Sequence, residues 1–207
     1  MFEREFDGGS MPADVDARRN ALVTAVKAQR DAVSRARKIY FDTSSYALEG
    51  KHDVEFEIKK AIADKYGIAF RSVVFSGSAQ LGFSPYKDTS FVPGRSDLDV
   101  ACIDSSLFQY YWSLVLRVTK AFNDESVWVG TDHSAKLKSH LLKRGMILLD
   151  YLPRCPERTK DMAFLDDISR VYRAQFNRIS LAIYINEAAF CWKQASALAN
   201  IIGNDHA

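Results

Sequence analysis

Two short motifs, Phe75-Ser76-Gly77-Ser78 and Ser96-Asp97-Leu98-Asp99-Val100, constrain this chain more than any other part of it. The first closes a short apolar, β-branched run from Arg71 to Phe75, a pattern that predicts a buried strand ending in a tight turn. The second alternates acidic and apolar residues. On an extended strand, side chains two apart share a face, so Asp97 and Asp99 project together while Leu98 and Val100 turn to the core. Two carboxylates about 4 Å apart repel by on the order of 1 kcal/mol in water, and several-fold more where water is partly excluded. Such a pair is comfortable with a cation between its members or with one proton shared. Magnesium is the natural guest, because it takes oxygen ligands and keeps positions open for substrate phosphate. The Gly-Ser turn supplies the complement: Gly77 lets backbone N–H groups come close, Ser78 offers a hydroxyl, and a helix opening at Ala79 would direct its positive end at phosphate. Together the motifs predict one phosphate-and-metal site.

These residues resemble the nucleotidyltransferase superfamily typified by DNA polymerase beta, whose small members include minimal nucleotidyltransferases and related antiphage and antitoxin proteins. Phe75-Ser76-Gly77-Ser78 matches the apolar-strand-then-Gly-Ser motif of that family, and Ser96 to Val100 matches its acidic-apolar-acidic-apolar motif. The likeness covers some thirty residues strictly and about eighty loosely. It implies an α+β nucleotidyltransferase fold, a small mixed β-sheet flanked by helices, with helical additions at both ends. It further implies that Gly77 and Ser78 bind the triphosphate, that Asp97 and Asp99 hold two magnesium ions, and that a third acid on a later strand helps activate the acceptor hydroxyl. Asp150, at the end of the apolar run Met146 to Leu149, is the first candidate for that acid and a third metal ligand; Asp132 is the second. A plain alternative for Asp150 is a strand-end carboxylate that caps a turn before Pro153.

The implied activity is magnesium-dependent transfer of a nucleoside monophosphate from a triphosphate such as ATP to a hydroxyl of RNA, protein or a small molecule, in a defence or toxin–antitoxin setting. Lys87 and Arg95, on the loop between the motifs, could contact the leaving phosphates, though a solvated loop is the simpler account of them. Two departures from the family pattern stand out. The loop 84–96 is long where small members have a tighter turn with an arginine, and Gln80, Leu81 and Gly82 occupy positions that are polar or basic in many relatives. The alternative is therefore a catalytically inactive nucleotidyltransferase-fold module that binds nucleotide, or a partner protein through its C-terminal helices.

The rest of the chain sets the frame. Its 207 residues suffice for one domain with decoration, divided as an N-terminal helical extension (1–52), a core (53–155) and a C-terminal helical region (156–207). Residues 1–12 lack periodicity and read as a frayed end. Apolar spacing predicts helices over 13–40, over 53–66 with Asp53 as cap and Gly67 as stop, over 105–122 with Ser105 as cap, and over 134–144. Strands are expected at 98–103, 127–129 and 146–152, and helix from 164 to 202 with a break near Asn177.

Composition excludes several classes. With 47% hydrophobic and 26% charged residues and a net charge of +2, the chain reads as globular, and its overall charge does not demand a polyanion. No apolar run approaches the length that spans a bilayer and the first ten residues lack a secretory core, so no membrane association and a cytoplasmic location are expected. Cys102, Cys155 and Cys191 are widely spaced and read as reduced thiols, and the four histidines lack zinc-ligand spacing. Ser78 lacks the surroundings of a hydrolase nucleophile, and neither Gly8-Gly9 nor Gly94-Arg95-Ser96 has the Walker lysine pattern. The basic runs Arg35 to Lys38 and Lys136 to Lys138 read as wet helix faces with no stacking platform beside them, and Trp112, Trp128 and Trp192 read as core.

Overall fold

A computed structural model describes residues 15–87 and 89–203; the aperiodic segment 1–12, with Gly8-Gly9, and the first two residues of the expected leading helix lie outside them. The elements run α1 (Val15–Lys27), α2 (Ala32–Tyr40), α3 (His52–Tyr66), β1 (Val73–Ser76), α4 (Gly77–Leu81), β2 (Leu98–Ile103), α5 (Ser105–Val118), α6 (His133–Arg144), β3 (Met146–Leu148), α7 (Pro156–Val171), β4 (Ile179–Tyr184) and α8 (Glu187–Gly203). The fold is α+β. Its four-stranded sheet has the order β1-β2-β4-β3, with β1 antiparallel to β2, β2 parallel to β4, and β4 antiparallel to β3.

Strand alternation divides the sheet into two cores. Val73, Phe75, Leu98, Val100, Cys102, Ile179, Leu181 and Ile183 face α3, α5 and α7, while Val74, Ala101, Met146 and Tyr184 face α1, α2 and α8. Both faces are covered by helices, so the two parallel central strands read as nearly unbroken apolar runs. Asp99 shares the face of Ala101 and therefore looks toward the layer that contains α8.

Several expectations need correction. Residues 179–184 are strand, not helix: β4 is the partner of β2 at the centre of the sheet, and the polar turn 172–178 separates it from α7. A short apolar run buried on both faces carries neither the period of a helix nor that of a half-exposed strand, which is why it reads ambiguously. The single helix expected over 13–40 is two, because Asp31 caps a new start by accepting from the Ser34 amide at 2.9 Å. The cap of α5 is Asp104, accepting from the Leu107 amide, rather than Ser105, and Asp53 lies within the first turn of α3 instead of capping it. Helix α5 stops at Val118 because Lys120, Ala121 and Phe122 all take the left-handed conformation. Residues 125–127 form a 3-10 turn closed by Asp124, not a strand, and β3 ends at Leu148 in a second such turn, Leu149–Tyr151. The helix 53–66 stopped by Gly67, the strand 98–103 and the basic helix up to Arg144 form as expected.

Candidate functional site

The two motifs converge because β1 and β2 pair with Ser76 opposite Asp99. Gly77 follows at φ +66°, a left-handed conformation that side chains disfavour, and its Cα lies against the Asp99 carboxylate. A Cβ added at Gly77 would sit 2.2 Å from Asp99 Oδ2, so any other residue here forces the Asp99 carboxylate aside. The turn continues into α4, a five-residue helix whose field is correspondingly weak. Gln80 is explained by the same segment: it is 3% exposed, and its Nε2 donates to the carbonyls of Ile39 and Thr43, both at 3.0 Å. Its departure from the family pattern thus serves packing of α4 against α2.

A cavity of about 540 Å³ opens above this junction. Gly77, Ser78, Lys87, Arg95, Asp97 and Asp99 all line it. The long loop does not seal it. Phe83 bridges Ser90, the Ser84 amide donates to the Thr89 carbonyl, and the Tyr86 hydroxyl bonds Ser196 Oγ on α8 at 3.1 Å, so the loop folds into a wall with Lys87 on its inner side.

Asp150 stands elsewhere. It lies in the 3-10 turn after β3, paired with Arg178, and does not line the cavity. Asp132 is an exposed residue at the start of α6, bridged to Lys136 at 2.6 Å. Among the described residues no group of three His, Cys, Asp or Glu side chains stands together as a metal site.

What surrounds the two acids comes from parts of the chain that the motifs do not announce. The parallel register sets Leu98 opposite Ile179 and Asp99 opposite Ser180, which brings Asn177 and Arg178 to the end of the sheet where Asp97 lies. Asn177 Nδ2 donates to Asp97 Oδ1 at 3.0 Å, and Ser180 Oγ donates to Asp99 Oδ1 at 2.8 Å. Each carboxylate is thus steered by one hydrogen bond from β4 or its approach. From the far wall, α8 contributes Lys193 and Gln194 and α2 contributes Tyr40. The forward signal for these residues is the polar pair Asn177-Arg178 immediately before the mostly apolar stretch 179–184, which mirrors Ser96-Asp97 before Leu98.

The electrostatics follow from the enclosure. Asp99 stays open to solvent, yet the protein around it removes enough water to push its carboxyl above the usual carboxylate range; Asp97 adds to that shift, while Ser180, Lys193 and Arg178 oppose it. Desolvation holds the Lys193 ammonium below its ordinary value, against the attraction of Asp99. The Tyr40 hydroxyl and Gln194 Nε2, on side chains 5% and 1% exposed, find no hydrogen-bond partner among the described residues, although both residues line the cavity. The arrangement can accept a polar, anionic molecule with a cation at its acidic floor. Comparison of the chain with protein-family models, curated proteins and solved structures finds no match.

Proposed function

We propose that this chain is a nucleotidyltransferase-type protein that holds a nucleoside triphosphate and one magnesium ion in the 540 Å³ cavity and transfers the nucleoside monophosphate to an acceptor hydroxyl. The observation that carries the reading is the contact between Gly77 and Asp99: a left-handed glycine turn pressed against one of two neighbouring carboxylates, with Ser78 and Asp97 in the same cavity. A fold of the nucleotidyltransferase kind agrees with the mixed sheet, in which the Gly-Ser turn follows β1 and the paired acids stand at the start of the neighbouring β2.

The residues present fit one magnesium ion. Asn177 and Ser180 occupy one oxygen of each carboxylate, which leaves the pair to act together, and two carboxylates plus substrate phosphate and water make an ordinary magnesium environment. When bound, the ion supplies neutralisation of the charge on the phosphates. The chain's own part is positioning. Gly77 and Ser78 admit the phosphates close to the backbone, and Lys87 and Arg95 balance their charge from the loop.

A second reading, a nucleotide-binding module without turnover, is favoured by one observation. Ser180 stands on the strand beside Asp99 where a third acid would complete the set, and Asp150 is neutralised by Arg178 outside the cavity. One experiment addresses both readings. Purified protein with magnesium and each labelled triphosphate is followed for binding and for pyrophosphate release, with Asp97→Asn and Asp99→Asn alongside. Binding and release that both disappear in the variants support transfer; binding without release, with RNA and protein acceptors supplied, supports the module. If no triphosphate binds in the presence of magnesium, both readings fall.

A further inference from the structure

Beside the acid-lined cavity lies a second one of about 480 Å³ that shares Tyr86 and Lys193 with it. Its other walls are Lys143 and Arg144 from the end of α6, and Ala189, Trp192 and Ser196 from α8. Lys143, Arg144 and Lys193 line it with no acidic residue among them, and neither Lys143 nor Arg144 has an ion-pair partner among the described residues. Desolvation is the main cause that depresses the Lys193 ammonium and the His140 imidazolium; Arg144 adds to both, although at Lys193 the opposing attraction of Asp99 is the larger of the two charge effects.

The aromatic residues of this ledge are out of place for a core. The apolar neighbours of Trp192 predict an inside position, but it is 65% exposed because it sits on the outer side of α8 while Phe190, Cys191 and Gln194 turn inward. Trp128, by contrast, is buried and stacked on Phe122, as expected. Tyr86 is 60% exposed, and its hydroxyl bonds Ser196 on α8. Neither ring has an aromatic or cation–π partner among the described residues.

We infer that this ledge binds a single-stranded nucleic acid, with a base stacked on Trp192 and flanking phosphates on Lys143 and Arg144, so that the strand's end is led past Tyr86 toward the acid-lined cavity. That the strand is the acceptor rests on the transferase reading above; that it binds does not. Unneutralised cations attract phosphate, and an open indole face adds the sequence-tolerant stacking that distinguishes a single strand from a duplex or a bare polyanion. The basic faces at Arg35 to Lys38 and Lys136 to Lys138 are already partly neutralised: Lys38 and Lys136 are paired with Asp42 and Asp132.

The test uses the whole chain and a fluorescein-labelled single-stranded RNA 12-mer, followed by anisotropy with EDTA present and no triphosphate. Trp192→Ala is expected to weaken binding roughly tenfold. Lys143→Ala/Arg144→Ala is expected to weaken it further and to lower the slope of log affinity against log salt by about 1.4, roughly 0.7 for each phosphate that no longer meets a cation. Both variants change exposed side chains and are expected to keep the wild-type circular dichroism spectrum and its triphosphate binding. The inference is overturned if the two variants bind the 12-mer as the wild type does, or if a duplex or inorganic polyphosphate competes as well as the single strand. If the RNA binds with these sensitivities but no triphosphate binds with magnesium, the ledge stands and the transferase reading falls.

Discussion

Replacing Gly77 by alanine separates the turn chemistry from the carboxylate it touches. The residue sits at φ +66°, where an L side chain costs roughly 1–2 kcal/mol. The new Cβ would also lie 2.2 Å from Asp99 Oδ2 and 3.2 Å from its Cγ, so the Asp99 side chain has to move. Asp99 is held by Ser180 at 2.8 Å, and leaving its rotamer costs a further ~1 kcal/mol before the broken hydrogen bond is counted. The sum is about 2–4 kcal/mol. At roughly 2–4 °C per kcal/mol for a domain of this size, the melting temperature should fall by on the order of 5–15 °C. The assay is a double-mutant cycle of Gly77→Ala with Asp99→Ala, read by urea unfolding. With the carboxylate gone, only the backbone cost remains, so the two changes should couple by at least ~1 kcal/mol, the double variant being more stable than additivity predicts. Strictly additive free energies, or a Gly77→Ala protein as stable as the wild type, would refute the argument that this glycine exists to accommodate Asp99.

Two further outcomes follow from buried polar groups. Gln80→Ala removes the donor that two carbonyls share and leaves Ile39 and Thr43 unsatisfied against α2, so chemical denaturation should show a loss of about 2–3 kcal/mol with triphosphate binding retained in the surviving fold. Asp161 is 4% exposed, accepts from the Tyr111 hydroxyl at 2.5 Å, and is pushed above the ordinary carboxylate range by desolvation. A raised folded value means that this group's stability is present below about pH 4 and lost as pH rises through the folded value, so the wild type should lose ground to Asp161→Asn between pH 4 and neutrality. Urea midpoints across that range check it; a wild type that gains on the variant as pH rises shows that Tyr111 and Lys65 outweigh desolvation.

Local chemistry is readable wherever it depends on neighbours in the chain. The alternation that sends Asp97 and Asp99 to one face and the glycine stop of α3 depend on interactions within a few residues, so sequence alone determines them, whereas the loop that carries Lys87 and Arg95 takes its path from Tyr86 on Ser196 and Gly94 on Gln175. The partners of those acids are not readable, because they arrive across long separations. Asn177 and Ser180 meet Asp97 and Asp99 only once β4 pairs in parallel with β2, and β4 itself reads as helix because burial on both faces erases the alternation that marks a strand. Asp150 illustrates the same point from the other side: its place at the end of an apolar run suggests a third acid, but β3 ends two residues earlier and the turn hands the carboxylate to Arg178. The sequence by itself determined which residues make the turn and the acid pair; tertiary structure alone decided what faces them, because strand register and the packing of α8 are set by the summed burial of two cores rather than by any local motif.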